Sequence, residues 1–160
     1  PFEGRVPEGL AAIRLETERL VLRVPRIEDF ERYADMFARD ELRSIGGPLV
    51  RGDAWRRFLQ MPGAWVLQGF AMFSVIEKAS GRWIGRVGPW QPEGWPGTEV
   101  GWSIRRASWG KGYAPEAAIA ASSGTSHSTP ALAGVASLLA SVNWLRMRAN
   151  SAWANCSRAL

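Results

Sequence analysis

The chain is expected to form an α+β domain, with a central, mostly antiparallel, twisted sheet flanked by helices. Three observations carry that expectation. Residues 17–24 alternate apolar and polar side chains, which is strand patterning. Residues 28–38 and 53–59 instead repeat apolar side chains at helical spacing. Between 69 and 104, three apolar segments are separated by short glycine-bearing turns, as in an antiparallel meander. Beyond about residue 121 the pattern becomes atypical.

With 160 residues, 46% hydrophobic and 22% charged, the chain fits one globular domain spanning 1–160 with enough chain to bury a core. Nine tryptophans require apolar cover, and buried indole N–H groups require partners. No run reaches the roughly 18 apolar residues of a membrane span, and no signal-peptide pattern opens the chain. A cytoplasmic location and no membrane partner are therefore expected. The single Cys156 and single His127 predict neither an internal disulfide nor a metal site. The formal net charge of +5 comes from basic residues scattered among acids, so no nucleic-acid partner is expected. A monomer or homodimer is.

Residues 1–11 carry Pro, Gly and Glu without period and read as a loose arm. In the first strand Leu20, Leu22 and Val24 face one side, and Arg19, Val21 and Arg23 the other. Pro25 ends it, having no N–H for a ladder. Phe30, Tyr33, Ala34 and Phe37 form the stripe of the first helix, whose start suits Glu28 and Asp29. Gly46-Gly-Pro48 breaks the chain. A second helix follows around 53–59, with Asp53 as its cap, Trp55, Phe58 and Leu59 as its buried stripe, and Arg56 and Arg57 on a solvated face. Segments 69–77 and 82–88 form a hairpin turning at Gly81. A second turn at 94–97 leads to a third strand, 98–104. Glycines 85, 88 and 101 weaken the strands they occupy, which predicts a bulge, a ligand or close backbone approach there.

The most informative stretch follows. Strand 100–104 turns through Gly110-Lys-Gly112 into an alanine-rich helix. Glycines in such a turn let backbone N–H groups point outward together, and the helix adds its own unpaired N–H groups and positive dipole end. Together they make an anion cradle, suited to a phosphate-bearing ligand. Trp109-Gly-Lys-Gly-Tyr-Ala-Pro-Glu-Ala117, preceded by Glu99-Val-Gly-Trp102, resembles the acetyl-CoA loop of the GNAT acetyltransferase superfamily. It looks most like the branch of ribosomal-protein N-terminal acetyltransferases. The order of predicted elements is also that of the GNAT fold, so the resemblance covers about residues 17–118. The superfamily places Arg or Gln three residues before the first glycine, where this chain has Ala107. Arg105, Arg106 and Lys111 can supply the missing charge.

The resemblance implies acetyl-CoA as co-substrate and a primary amine, on a small molecule or a protein N-terminus, as acceptor. It places the cofactor against Val100, Gly101, Trp102, Ile104, Trp109, Gly110, Lys111, Gly112, Tyr113 and Ala114. Acetyl transfer needs a neutral amine, yet a lysine amine has a pKa of about 10.4 and an α-amine about 8, so a base must take the proton. Glu99 is the candidate base, on a strand face shared with Gly101 and Ser103; a solvent-facing carboxylate is the alternative. A backbone N–H of Val100, Gly101 or Trp102 can stabilise the carbonyl oxygen. Tyr113 is either the acid or a packed aromatic at the helix start, and Glu116 complements the dipole. Trp90, Trp95 and Trp102 line an acceptor pocket or fill the core. A CoA-binding or structural module without catalysis is the alternative function.

After residue 121 the family would continue a helix, add a strand and end on a further helix, but the chain runs through a polar Ser/Thr/His loop. Taking the third base of each codon with the first two of the next, Ser122 onward can encode Trp-Asp-Phe-Ala-Phe-Asp-Thr, an amphipathic continuation. The tail thus reads as shifted in frame relative to the family, with a genuinely divergent C-terminus as the alternative.

Overall fold

The computed structural model describes residues 8–123; the expectations for 1–7 and for the tail from 124, with His127, Cys156 and the frame shift, lie outside the described residues. In chain order the elements are α1 (Glu8–Ala11), β1 (Arg14–Glu16), β2 (Leu20–Arg23), α2 (Phe30–Phe37), α3 (Arg51–Gln68), β3 (Phe73–Glu77), β4 (Arg82–Trp90), β5 (Glu99–Ile104) and α4 (Tyr113–Ser123). The five strands form one sheet in the order β1-β2-β3-β4-β5, and every pair is antiparallel. The meander read from the sequence is its larger part.

Two apolar layers cover the sheet. On one side Leu20, Leu22, Phe73, Val75 and Val87 pack with Ala117, Ala118 and Ala121 of α4. A second cluster joins Phe30, Tyr33 and Phe37 of α2 to Phe58 and Met61 of α3 and to Met72 and Trp83. Val21, expected with the polar face of its strand, is buried in this interior strand.

The N-terminal arm is more ordered than its composition predicts. From Glu8 it forms a helical turn and then an edge strand, held by the buried Ile13. The strand predicted from residue 17 begins at Leu20, because Thr17 turns the chain: its hydroxyl accepts the Leu20 N–H at 2.9 Å. Asp29 does more than favour a helix start. Its buried carboxylate accepts Arg23 Nη2 at 2.7 Å, the Arg26 N–H at 2.9 Å and Ser74 Oγ at 2.7 Å, while Ser74 Oγ accepts Trp83 Nε1 at 3.1 Å. This chain of bonds ties the entry of α2 to β2, β3 and β4. Asp29→Ala leaves the Arg23 charge and Ser74 without their partner, and is expected to cost about 3 kcal/mol in urea unfolding. A loss under about 0.5 kcal/mol would show the network to be dispensable.

The second helix departs furthest from expectation. It starts at Arg51 and passes through Pro62, although proline removes one ladder bond. Tertiary burial sustains it: Ala54, Phe58, Met61 and Trp65 form the inward stripe, and Trp65 Nε1 donates to Met72 O at 3.2 Å. Asp53 lies in the first turn and caps nothing; its carboxylate pairs with Arg56. Trp55 and Leu59, expected inside, are 38% and 43% exposed. Arg56 is solvated as read, but Arg57 turns inward, its guanidinium 4.9 Å from the Phe37 ring centre.

The hairpin and both turns stand where the glycines place them, with β4 extending to Trp90. A register shift between Val75 and Ile76 leaves Ile84 as the extra residue of a bulge. The close backbone approach expected at the strand glycines is present at Gly85 and Gly88, whereas Gly101 is approached by a side chain. A Cβ on Gly85 would stand 2.2 Å from the Ser103 carbonyl oxygen, one on Gly88 3.1 Å from Met72 Cα, and one on Gly101 2.6 Å from Met72 Cε.

Candidate active site

The end of β5, the turn that follows and the start of α4 form one side of a cleft of about 370 Å³. Trp102, Ser103 and Ile104 supply its strand wall; Ser108, Trp109, Gly110, Gly112, Tyr113, Ala114 and Pro115 supply its turn and helix wall. Leu42 and Ile45, from the 3-10 stretch between α2 and α3, face them across the cleft. Arg57 fixes that opposite wall by donating to Ile45 O at 2.7 Å. Burial, with the neighbouring Arg86 charge, lowers the Arg57 pKa to about 10, so it stays cationic at neutral pH.

The glycine turn has the properties that its sequence implies. Gly110 and Gly112 adopt φ of 73° and 75°, the left-handed region open to glycine. A Cβ on Gly110 would meet nothing within 4 Å, so the space beside this backbone is open. Among the described residues, the N–H groups of Gly110, Lys111, Gly112, Tyr113 and Ala114 donate to no other group. Pro115 follows, lacking a donor where a first helical turn would leave one unpaired. Trp109, 51% exposed, is anchored by its Nε1 donating to Ile104 O at 2.6 Å. A run of unpaired donors beside open space and an apolar cleft fits an extended ligand with anionic and neutral parts, as CoA has.

Of the residues expected at the cofactor, Trp102, Ile104, Trp109, Gly110, Gly112, Tyr113 and Ala114 line this cleft together, whereas Val100, Gly101 and Lys111 are outside its lining. Trp102 is 41% exposed into it. Trp95 lines a separate shallow pocket with Gln68 and Glu93, and Trp90 packs against both apolar clusters. Glu99, half-buried, pairs in register with Trp90 and sits upstream of the cleft lining. A Cβ on Gly101 would stand 3.7 Å from Glu99 Oε1, which places these two on one face as expected. Arg105, offered for the missing charge, instead reaches α2, where Nη2 meets Asp35 Oδ2 at 2.7 Å.

Tyr113 presents its ring to the cleft, but its hydroxyl donates to Glu77 Oε1 at 2.7 Å. That bond raises the phenol's pKa, and with a stronger one from Ser80 holds the Glu77 carboxyl below its usual range. Glu116 is more than a dipole complement. Its carboxylate accepts Thr17 Oγ1 at 2.5 Å, the Arg19 N–H at 3.1 Å and Arg19 Nε at 2.8 Å. Burial pushes its pKa up, but these bonds outweigh that and keep it low. No sequence signal singles out Arg19 or Glu77, since each acts on residues far along the chain.

Residues 19–156 match the family model for the acetyltransferase (GNAT) domain, and the chain belongs to that family. It is similar in structure to an acetyltransferase from Agrobacterium tumefaciens at 29% identity, covering 78% of this chain and 70% of that one, with a TM-score of 0.65. A Bordetella pertussis protein described as a GNAT-family acetyltransferase matches at 27% identity, over 66% and 67% of the two chains, with a TM-score of 0.58. A likeness of fold extends to a Vibrio cholerae structure described as a ribosomal-protein-serine acetyltransferase, at 19% identity, 67% and 63% coverage and a TM-score of 0.55. No curated protein sequence matches the chain. No helix among the described residues is long and apolar enough to cross a membrane.

Proposed function

We propose that this GNAT domain transfers the acetyl group of acetyl-CoA to a primary amine, on a small molecule or a protein N-terminus. The observation that carries this is the row of five N–H groups from Gly110 to Ala114, unpaired among the described residues and set between a cleft and a helix start. Acetyl-CoA supplies an activated thioester, and its pyrophosphate is the anion that such donors attract. Gly110, Lys111 and Gly112 hold that anion, while Trp102, Ile104 and Trp109 cover the apolar part.

The amine nitrogen forms a bond to the acetyl carbon, the carbon–sulfur bond breaks, and the amine proton leaves. Glu99 takes that proton. It lies four residues, or about 13 Å, along the strand from Ser103 at the cleft floor, so the proton passes through water. No strand borders the outer edge of β5 among the described residues. Alternate N–H groups of residues 100–102 therefore point away from β4, available as oxyanion donors. Tyr113 is the candidate acid for the departing thiolate only when its bond to Glu77 opens; otherwise it is a rigid wall.

Gly112→Val tests the cradle. Valine at φ 75° is strained, so the turn must shift to hold it, and its Cβ would stand 3.5 Å from Arg19 Nη2. Calorimetry is expected to show CoA affinity at least tenfold weaker below the variant's melting temperature. Unchanged affinity would place the pyrophosphate elsewhere. An acceptor panel of peptide α-amines and small polyamines, followed by thiol release, separates the two acceptor classes.

A further inference from the structure

We infer that Arg19, in the turn between β1 and β2, is a positioning residue for the acetyl-CoA pyrophosphate: it aims the donors of the 110–112 turn without touching the ligand. The inference rests on the acetyl-CoA reading above. Arg19 Nη1 donates to the Lys111 carbonyl oxygen at 2.9 Å. A trans peptide holds its C=O and N–H on opposite sides, so a Lys111 carbonyl held toward Arg19 turns the Gly112 N–H the other way. That N–H is one of the five cradle donors unpaired among the described residues.

The same guanidinium meets Glu116 Oε2 through Nη2 at 2.6 Å and stacks 4.7 Å from the centre of the Tyr113 ring. It thereby grips the turn at Lys111, the first helical residue and the first helical carboxylate together. Its backbone is held as well, because the Lys78 N–H donates to Arg19 O at 2.9 Å. The clamp is therefore anchored beside β3 and not on the turn it orients. Glu116 explains why a cation must stand here. An ionised carboxylate in the first turn suits the helix dipole, but it opposes a phosphate at the same helix end. Pairing with Arg19 removes that opposition. Arg19 thus contributes twice, by orienting a peptide and by neutralising a rival charge.

The two contributions separate experimentally. Affinities for CoA and for dephospho-CoA, which keeps the pyrophosphate but lacks the 3′-phosphate, are measured by calorimetry. The proteins are the parent, Arg19→Ala, Arg19→Lys and Arg19→Ala/Glu116→Gln. Arg19→Ala is expected to weaken both ligands by the same factor, about ten- to thirtyfold. Lysine offers one donor site in place of a fork, so Arg19→Lys is expected to recover only part of the loss. The double variant likewise recovers the charge component and leaves the loss due to the freed peptide. Full recovery in the double variant would reduce Arg19 to a counter-charge and overturn the positioning role. Loss confined to CoA would make Arg19 a direct 3′-phosphate contact, which also overturns it, as would unchanged affinity in Arg19→Ala. Failure of the parent itself to bind either ligand would instead sink the acetyl-CoA reading.

Discussion

Replacing Glu99 by glutamine is expected to lower kcat about 10²- to 10⁴-fold while leaving the KM for acetyl-CoA near that of the parent. Glutamine keeps the size and polarity of the side chain and removes only its capacity to take a proton. A protein α-amine, with a pKa of about 8, is partly neutral at physiological pH, whereas a lysine amine at about 10.4 is not. The loss should therefore be larger for a lysine-like acceptor. In the parent, the rate is expected to fall on the acid side as the base becomes protonated; in the variant that limb should move up to the acceptor amine's own pKa. A variant with the parent's kcat and the parent's acid limb would remove Glu99 from the chemistry and leave water or the amine's own pKa to account for the rate.

Gly85→Ala is expected to be the most damaging single methyl group in the sheet. The added carbon would stand 2.2 Å from the Ser103 carbonyl oxygen and 2.9 Å from Ile104 Cα, both backbone atoms of the paired strand. Neither can move without parting β4 from β5. Overpacking ordinarily costs about 1–3 kcal/mol, and a backbone-to-backbone collision belongs at or above the top of that range. Against a total stability of about 5–15 kcal/mol, urea unfolding should show a large fall in midpoint. Gly81, with φ 65° and nothing within 4 Å of its missing Cβ, provides the contrast: Gly81→Asn should cost about 1 kcal/mol or less. Equal effects at the two sites would show that β4 and β5 are not pressed together as described. Since Ser103 and Ile104 also form the cleft floor, any folded Gly85→Ala protein should bind CoA less well.

What the sequence made legible was local. The turn at Gly81, the φ-demanding glycines at 110 and 112, and the stripe of Phe30, Tyr33 and Phe37 are each decided within a few residues, and each stands as read. The strand glycines were legible for a different reason, since an absent side chain in a strand calls for a close neighbour. Position along the chain could not distinguish Arg56 from its neighbour Arg57. Only the packing of α3 against Phe37 turns one outward and the other inward. The helix read around 53–59 runs from Arg51 to Gln68 through Pro62, because a helix sustained by tertiary burial tolerates what an isolated one cannot. At the site, the cradle could be read but the arrangement holding it could not: Arg19 and Glu116 are 97 residues apart, and Tyr113 and Glu77 are 36 apart.

That separation bears on how the molecule comes together. β2 meets β3 only across the 49 residues that carry α2 and α3, but β1–β2, β3–β4 and β4–β5 join strands close in the chain, the β3–β4 hairpin over a four-residue loop. Such contacts bring small loop-closure losses, and chains rich in them fold quickly. The clamp on the glycine turn closes a loop of nearly the whole described chain, and nothing local rewards it beforehand. The framework can therefore zip up early, whereas the ligand-holding corner is complete only once both ends of that framework are in place. On the proposed reading, its competence for acetyl-CoA should be a late event in folding and, by the same reckoning, an early casualty of unfolding.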